Sequence, residues 1–280
     1  WNAEMLLTAT KVGPALAAGN TVVIKASEEA PAPLLEFAEV VHEVGFPPGV
    51  INLITGFGEP CGRALTSHPL VSRVAFTGGV ETARRVVENT AQNFAHLSLE
   101  LGGKSPILIF NDADLEGAVN GAVAGNFGAS GQSCVAGSRV FVQAGIHDEF
   151  LERLIGRAEA IRIGDPLHED TQMGPLATEA QRDRIEAVVA ESRDQGATVH
   201  TGGKRPEGFD TGWYFEPTVL GCDSQSIRST QVELFGPVMS VLTFESEEEA
   251  VAMANDSVFG LGAGVFTTDV GRAHRVAKAV

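Results

Sequence analysis

One of the three cysteines, Cys134, stands in a run of small residues where a thiol could act as a nucleophile. The segment Gly131-Gln132-Ser133-Cys134 lies between Gly128 and Gly137. A reactive thiol needs room for a substrate to approach and nearby backbone N–H groups that stabilise negative charge, and small residues allow both. A lone cysteine is more often a buried structural residue, so this segment by itself leaves both interpretations open.

A second candidate for chemistry is Glu100, in the sequence Leu99-Glu100-Leu101-Gly102-Gly103-Lys104. We expect this glutamate at the end of an apolar strand, next to a glycine pair. A carboxylate in such a place either has a raised pKa and acts as a general base, or it is a structural acid paired with a cation. The residue alone does not decide between the two.

Other segments accompany these two, and their order along the chain is informative. They are Trp1-Asn2, Thr21–Glu28 (TVVIKASE), Phe76-Thr77-Gly78-Gly79, Glu233-Leu234-Phe235-Gly236-Pro237, and Asn255-Asp256 followed by Phe259-Gly260-Leu261. Together with Leu99–Lys104 and Gly131–Cys134, they resemble the signature motifs of the aldehyde dehydrogenase superfamily. The resemblance covers essentially the whole chain, with the motifs in register.

This resemblance implies a two-stage oxidation of an aldehyde to the carboxylic acid. The Cys134 thiolate attacks the aldehyde carbonyl, while the Asn2 amide and the backbone N–H of Cys134 hold the oxyanion. Loss of hydride to the nicotinamide leaves a thioester, and Glu100 then activates the water that releases the acid. Each role suits its residue type: a thiol attacks the carbonyl carbon, an amide stabilises the oxyanion, and a carboxylate accepts a proton from water.

The resemblance also implies a set of cofactor-binding residues. They are Lys25 and Glu28 at the adenosine ribose, Gly56, Gly78, Gly79 and Leu101 along the dinucleotide, and Glu233 and Phe235 at the nicotinamide ribose and ring. A 2′-phosphate beside Glu28 would meet like charge, which favours NAD over NADP as the cofactor, with NADP as the alternative. The usual GxGxxG fingerprint is missing from the sequence, and the family uses a different loop.

Three other functions compete with this one. A CoA-acylating relative would not need Glu100, because deacylation by a thiol requires no water-activating carboxylate. A cysteine hydrolase normally pairs its cysteine with a histidine, and only His96 lies near the motifs. A catalytically silent protein on the same scaffold is disfavoured by the joint presence of Cys134, Glu100 and Asn2.

Short apolar strands that alternate with helices predict parallel sheets covered on both faces. In the first part we expect strands near 21–25, 50–55, 71–77 and 97–101, and helices that begin near Pro31, Cys61 and Glu81. In the second we expect strands near 106–110, 139–143, 238–244 and 261–267, and helices near 148–161 and 179–194. The fold class is therefore α/β: a Rossmann-like NAD(P)-binding domain over residues 1–102, then a catalytic domain over 103–280, divided at Gly102-Gly103.

Charge and cysteine usage narrow the partners. The formal charge of −16 comes from 36 acidic and 20 basic residues, which disfavours nucleic acid, and basic amphipathic segments for a membrane surface are missing. No CxxC or HxxxH pattern indicates a metal site. Three widely spaced cysteines fit a reducing compartment, so we expect a cytoplasmic protein whose partner is a small-molecule aldehyde.

The ends of the sequence suggest a piece of a longer protein. The chain starts at Trp1 instead of Met and stops at Val280 within a predicted helix. We therefore expect an aldehyde dehydrogenase-like fold truncated at both ends. For the full-length protein, the family resemblance implies a homodimer or a homotetramer.

Overall fold

The computed structural model describes residues 1–280, which form two compact units. The first unit is Trp1–Leu101 and the second is Gly102–Val280. This division lies one residue before the boundary expected from the glycine pair. None of the helices is both long enough and apolar enough to cross a membrane.

The first unit alternates helices and strands. Its helices are α1 (Glu4–Ala17), α2 (Ala32–Glu43), α3 (Arg63–Thr66) and α4 (Val80–Thr90), and its strands are β1 (Val22–Lys25), β2 (Ile51–Ile54), β3 (Arg73–Thr77) and β4 (His96–Glu100). The predicted strands and helices are confirmed to within a few residues, but α1 was not predicted. A short π-helical turn, Gly58–Gly62, occupies part of the helix expected from Cys61.

Local sequence signals explain the ends of α2. Pro31 caps its N-terminus, where a missing backbone N–H costs nothing. Gly45 follows the helix with φ +81°, a conformation that ends helices and that glycine adopts without a Cβ clash. These two residues set where the helix begins and ends.

The strands of the first unit are parallel, as predicted, but they do not make one sheet. β1 pairs with β2 and β3 pairs with β4, in two separate two-stranded sheets. Most strand residues of this unit keep partial exposure, and Val23 is 47% exposed. Apolar periodicity indicates where a strand lies, but it does not specify which strands become neighbours.

The second unit contains one six-stranded sheet. Its strands are β5 (Pro106–Ile109), β6 (Arg139–Gln143), β7 (Thr198–Thr201), β8 (Thr218–Gly221), β9 (Val238–Phe244) and β10 (Gly264–Phe266), in the spatial order β10-β5-β6-β9-β8-β7. Only the edge pair β7–β8 is antiparallel. The helices are α5 (Leu115–Phe127), α6 (His147–Glu159), α7 (Glu179–Asp194), α8 (Arg228–Gln231), α9 (Glu247–Asn255) and α10 (Val270–Ala279).

Here the prediction of a parallel sheet covered on both faces is confirmed. The central strands β5, β6 and β9 are almost completely buried, as expected for parallel strands between helical layers. One hydrophobic cluster contains residues of α5 and α6, and the other contains residues of α7, α9 and α10. This double cover makes the second unit a rigid platform for the loops that leave the ends of its strands.

Arg139 joins the start of β6 to the C-terminal end of α9. The side chain is 1% exposed, and it donates to the carbonyl oxygens of Lys104 (2.8 Å), Met253 (3.1 Å) and Ala254 (2.7 Å). Burial lowers the pKa of the guanidinium to about 10, and the Asp256 carboxylate opposes this shift. The charged group thereby satisfies helix-end carbonyls that would otherwise be unpaired in the core.

We expect Arg139→Met to destabilise the protein by about 3 kcal/mol or more, because several buried carbonyls lose their donor together. Urea unfolding followed by circular dichroism would measure this loss. The matched control is Arg153→Met on α6, which removes an exposed ion pair with Glu149 and should cost less than about 1 kcal/mol. Equal losses for the two variants would contradict the role assigned to Arg139.

Candidate active site

The loop that carries Cys134 follows α5 and has an unusual backbone. We call residues 128–134 the Cys134 loop. Three consecutive residues adopt left-handed conformations, namely Ala129 (φ 51°), Ser130 (φ 56°) and Gly131 (φ 70°). Non-glycine residues in this region cost about 1–3 kcal/mol each and persist only where the surroundings hold them. The loop ends in a turn in which Cys134 is half-buried.

Gly131 lies against the backbone of the Glu233–Pro237 segment. A Cβ atom at this position would lie 2.2 Å from the carbonyl carbon and oxygen of Gly236 and 2.5 Å from the nitrogen of Pro237. Main-chain atoms cannot move aside as a flexible side chain can. The glycine is therefore required both by its positive φ and by the close approach of two main chains.

Gly103 makes a second close approach to the Cys134 loop. A Cβ at Gly103 would lie 2.2 Å from the carbonyl oxygen of Cys134. The N–H of Gly103 donates to the Glu233 carboxylate at 3.1 Å, and a Cβ at Gly102 would overlap that same carboxylate. Three segments that are remote in the sequence thus meet at one place: the glycine pair, the Cys134 loop and the Glu233–Pro237 segment.

Glu233 and Phe235 are held in place within the second unit. Burial raises the pKa of Glu233, while the Gly103 N–H and the cations Arg184 and Lys104 act in the opposite direction. Phe235 has φ +55°, and its carbonyl oxygen accepts a hydrogen bond from Gln181 Nε2 at 2.9 Å. A small cavity is lined by this segment together with Gly103, Gly131 and Ser133.

Two support contacts of the Cys134 loop were missed by sequence reasoning. Ser130 Oγ donates to the carbonyl oxygen of Gly174 at 3.0 Å. The Gln132 side-chain oxygen accepts from the N–H of Ala177, also at 3.0 Å. Both residues lie close to the predicted nucleophile in the sequence, which is the one signal that could have identified them. Their partners, Gly174 and Ala177, lie in a loop that contains no motif.

Lys104 is a further residue that the sequence did not single out for chemistry. It is 2% exposed, and its Nζ has no hydrogen-bond partner. Burial lowers its pKa to about 7, the nearby Arg139 acts in the same direction, and Cys222 and Glu233 oppose the shift. An amine with such a pKa is neutral at mildly alkaline pH, which makes its burial tolerable.

Glu100 and Asn2 belong to the first unit. Glu100 is the exposed last residue of β4 and pairs in register with Thr77, and its carbonyl oxygen accepts from the Gly78 N–H at 3.1 Å. Asn2 is half-buried just before Ala3, which has φ +47° and caps α1. The structure thus brings Glu100 and Gly78 together at the carboxyl ends of β3 and β4.

Lys25, Glu28 and Gly56 meet at the carboxyl ends of β1 and β2. Lys25 Nζ donates to the carbonyl oxygens of Ala26 and Gly56, both at 2.7 Å, and to Glu28 Oε2 at 3.3 Å. The pKa of Glu28 is lowered by a backbone N–H and by Lys25, with burial acting in the opposite direction. Ligands of parallel α/β sheets usually bind at this end of the strands.

Three glycines of the first unit lie near the same strand ends: a side chain would overlap a neighbour at two of them and would meet open space at the third. At Gly56, with φ +150°, a Cβ would lie 2.7 Å from the Cys61 Cβ. At Gly78 it would overlap the Phe76 ring, whereas at Gly79 it would meet nothing within 4 Å. Gly79 caps α4, and the free N–H groups of a helix N-terminus favour a phosphate. Leu101, half-buried, ends the unit.

Backbone strain is concentrated near the predicted site residues. The non-glycine residues with positive φ are Ala3, Phe94, Ala129, Ser130 and Phe235. Ala3 follows Asn2, Ala129 and Ser130 belong to the Cys134 loop, and Phe235 is itself a predicted cofactor-binding residue. Strain of this kind collects at functional sites.

No group of three or more His, Cys, Asp or Glu side chains is arranged to hold a metal ion.

Comparisons with known proteins identify the family of the chain. The chain is 53% identical to (Z)-2-((N-methylformamido)methylene)-5-hydroxybutyrolactone dehydrogenase of Acinetobacter baylyi, over 281 residues that cover 100% of this chain and 57% of the relative. It is 46% identical to betaine aldehyde dehydrogenase of Brucella anthropi, covering 99% of this chain and 57% of the relative. The chain thus spans a little over half the length of these curated relatives.

Solved structures show the same fold. The structure of PnpE in complex with nicotinamide adenine dinucleotide matches with a TM-score of 0.98 and 46% identity, over 100% of this chain and 58% of that chain. Betaine aldehyde dehydrogenase from Staphylococcus aureus, solved with NAD⁺, matches with a TM-score of 0.96 and 44% identity, over 99% of this chain and 55% of that chain. The sequence profile of the "Aldehyde dehydrogenase family" matches residues 1–280. The resemblance seen in the motifs is therefore confirmed, and the chain belongs to the aldehyde dehydrogenase family.

Proposed function

We propose that the protein oxidises an aldehyde to the carboxylic acid with NAD⁺, through a thioester on Cys134. The observation that carries this proposal is the meeting of the glycine pair, the Cys134 loop and the Glu233–Pro237 segment, with Gly103 against the Cys134 carbonyl and bonded to Glu233. Gly103 thus lies between the backbone of the half-buried Cys134 and the Glu233 carboxylate, a group that can hold a ribose. Membership of the family, with the motifs in order over residues 1–280, supports the same reaction.

Cys134 is the nucleophile in this proposal. Its Sγ forms a bond to the aldehyde carbon, and the carbonyl oxygen becomes an oxyanion. The backbone N–H of Cys134 makes no hydrogen bond within the chain, so it is available to stabilise that oxyanion. The Asn2 side-chain amide also has no partner within the chain, and it supplies the second donor. An amide serves this role because it donates a hydrogen bond without losing its proton.

Glu100 is the general base for the second stage. Its carboxylate is exposed at the end of β4 and makes no ion pair or side-chain hydrogen bond. It takes a proton from water while the water oxygen attacks the thioester carbon, and the Cys134 thiolate leaves as the acid is released. A CoA-acylating enzyme would transfer the acyl group to a thiol instead and would not need this carboxylate.

The residues at the strand ends fit a dinucleotide. Lys25 and Glu28 offer a donor and an ionised acceptor for the adenosine ribose, and the open Gly79 at the start of α4 suits the pyrophosphate. Gly56, Gly78 and Leu101 complete this surface. In the second unit, Glu233 would accept from the nicotinamide ribose, and Phe235 would support the ring. When bound, the nicotinamide supplies the hydride acceptor for the first stage.

The charge of Glu28 favours NAD over NADP. Its lowered pKa keeps the carboxylate ionised at neutral pH, so a 2′-phosphate at the same place would meet like charge. The solved relatives with NAD or NAD⁺ agree with this preference.

The identity of the aldehyde follows from the shape of the substrate channel. Betaine aldehyde is the first compound to test because several curated relatives are betaine aldehyde dehydrogenases. The cytoplasmic location and the homodimer or homotetramer stay predictions.

We expect Cys134→Ala to abolish the formation of reduced cofactor from NAD⁺ and an aldehyde, because no bond to the substrate carbon can form. Absorbance at the wavelength of NADH would measure this in the full-length protein. The matched control is Cys222→Ala, which removes a buried thiol from the core and should retain activity. Activity that survives in Cys134→Ala would contradict the mechanism.

Glu100→Gln should separate the two stages. We expect a rapid burst of reduced cofactor equal to the enzyme concentration, followed by turnover about 10²–10⁴-fold slower than wild type, because the thioester forms but is not hydrolysed. Stopped-flow absorbance would resolve the burst, and mass spectrometry would detect the acyl group. Glu88→Gln, an exposed glutamate on α4, is the control and should turn over normally. Wild-type steady-state turnover in Glu100→Gln would exclude it as the base.

Glu28→Gln should weaken the discrimination against NADP. Removing the negative charge lowers the repulsion of a 2′-phosphate, so we expect the ratio of kcat/KM for NADP⁺ to that for NAD⁺ to rise by about tenfold. Steady-state kinetics with both cofactors would measure the ratio. Glu29→Gln, at the neighbouring exposed position, should leave it unchanged. The same ratio in wild type and Glu28→Gln would place the ribose elsewhere.

A further inference from the structure

The strained backbone of the Cys134 loop requires a restraint from outside the loop. Ala129 and Ser130 are left-handed without being glycine, and such conformations relax unless neighbouring groups oppose the relaxation. Contact with Gly236 and Pro237 limits the space around Gly131, but close contact alone does not prevent the loop from moving away. A directional attachment is needed to keep the loop against that surface.

Two hydrogen bonds provide this attachment, and both lead to the same neighbouring segment. We call residues 172–177 the support segment. Ser130 Oγ donates to Gly174 O, and Ala177 N donates to Gln132 Oε1, each at 3.0 Å. Ser130 and Gln132 are 8% and 9% exposed, so water does not compete freely for these bonds. Each contact therefore contributes more than an exposed hydrogen bond would.

The support segment is itself fixed to the core. Gly164 N donates to Met173 O at 3.1 Å, and Leu176 N donates to Trp213 O at 3.0 Å. Met173 and Leu176 are each 3% exposed, and Leu176 belongs to the hydrophobic cluster that covers one face of the sheet. A displacement of the support segment would expose core residues, so the segment behaves as a rigid anchor.

We propose that Gln132 is a positioning residue for Cys134, whose side-chain oxygen, together with the Ser130 hydroxyl, ties the strained loop to the support segment and so fixes the position of the thiol. Gln132 does not touch the reacting atoms in this proposal. It acts on the orientation of Cys134, and the inference rests on the proposed function only in taking Cys134 as the nucleophile. A nucleophile displaced by a fraction of an ångström reacts more slowly even when substrate and cofactor still bind.

Gln132→Met tests the attachment, because methionine has a similar length but cannot accept a strong hydrogen bond. We expect amide hydrogen exchange in residues 128–136 to be about tenfold faster than in wild type, which corresponds to about 1.4 kcal/mol of local stability. Ser130→Ala should act in the same direction with a smaller effect. Gln132→Glu keeps an acceptor oxygen for the Ala177 N–H and should restore most of the protection.

The matched control is Gln143→Met at the other end of β6. Gln143 Oε1 also accepts from a backbone N–H, that of Asn111, at 2.9 Å. This variant loses the same kind of hydrogen bond and should leave exchange in residues 128–136 unchanged. If Gln132→Met exchanges like wild type there, or if Gln143→Met loosens the loop equally, the proposal is wrong.

Kinetics of the full-length protein give the second readout. Gln132→Met should lower kcat by about tenfold and leave the KM for NAD⁺ within about twofold of wild type, because only the thiol is misplaced. A rise in KM at unchanged kcat would contradict a role in positioning Cys134. A wild-type protein that forms no reduced cofactor would contradict the proposed function, and the exchange experiment would still decide whether Gln132 holds the loop.

Discussion

The close approach of three main chains at Gly103, Gly131 and Gly236 is the constraint on which the candidate active site depends. The Cys134 carbonyl and the Gly236 carbonyl occupy the space in which side chains at Gly103 and Gly131 would begin. Without that approach, the Cys134 loop and Glu233 could not share one surface. The sheet of the second unit is covered on both faces, and packed cores resist deformation. It therefore keeps these three main chains in close contact.

The proposed chemistry is distributed over groups with different environments. The side chains of Cys134 and Glu100 make no hydrogen bond or ion pair, whereas the Glu233 carboxylate is held by the Gly103 N–H. Lys25 is enclosed by two carbonyl oxygens and the Glu28 carboxylate. The groups proposed to bind are thus fixed by hydrogen bonds, and the groups proposed to react are free to meet a substrate.

Much of the fold could be predicted from apolar patterns. The runs at 21–25, 139–143 and 238–244 are strands because short, β-branched sequences suit a pleated, buried backbone. The edge strand β7 and its neighbour β8 were not predicted because their sequences, TVHT and TVLG, contain only one and two large apolar residues. Helix α5 was not predicted because its three glycines lower helix propensity. The apolar pattern of the first unit did not indicate that β1 pairs only with β2 and β3 only with β4. Motifs predicted the reacting residues, but not Gln132, Ser130 or Lys104, whose significance lies in partners that only the tertiary structure supplies.

The buried amine of Lys104 has a thermodynamic consequence for the whole second unit. Its pKa is about 7 in the folded protein and about 10.4 in an unfolded chain. Between these values the folded protein holds fewer protons at this position than the unfolded chain, so unfolding takes up a proton and stability increases with pH across that range. Below the folded pKa both states carry the proton and this contribution becomes constant. The heat of unfolding at mildly alkaline pH therefore includes the ionisation enthalpy of whichever buffer donates the proton.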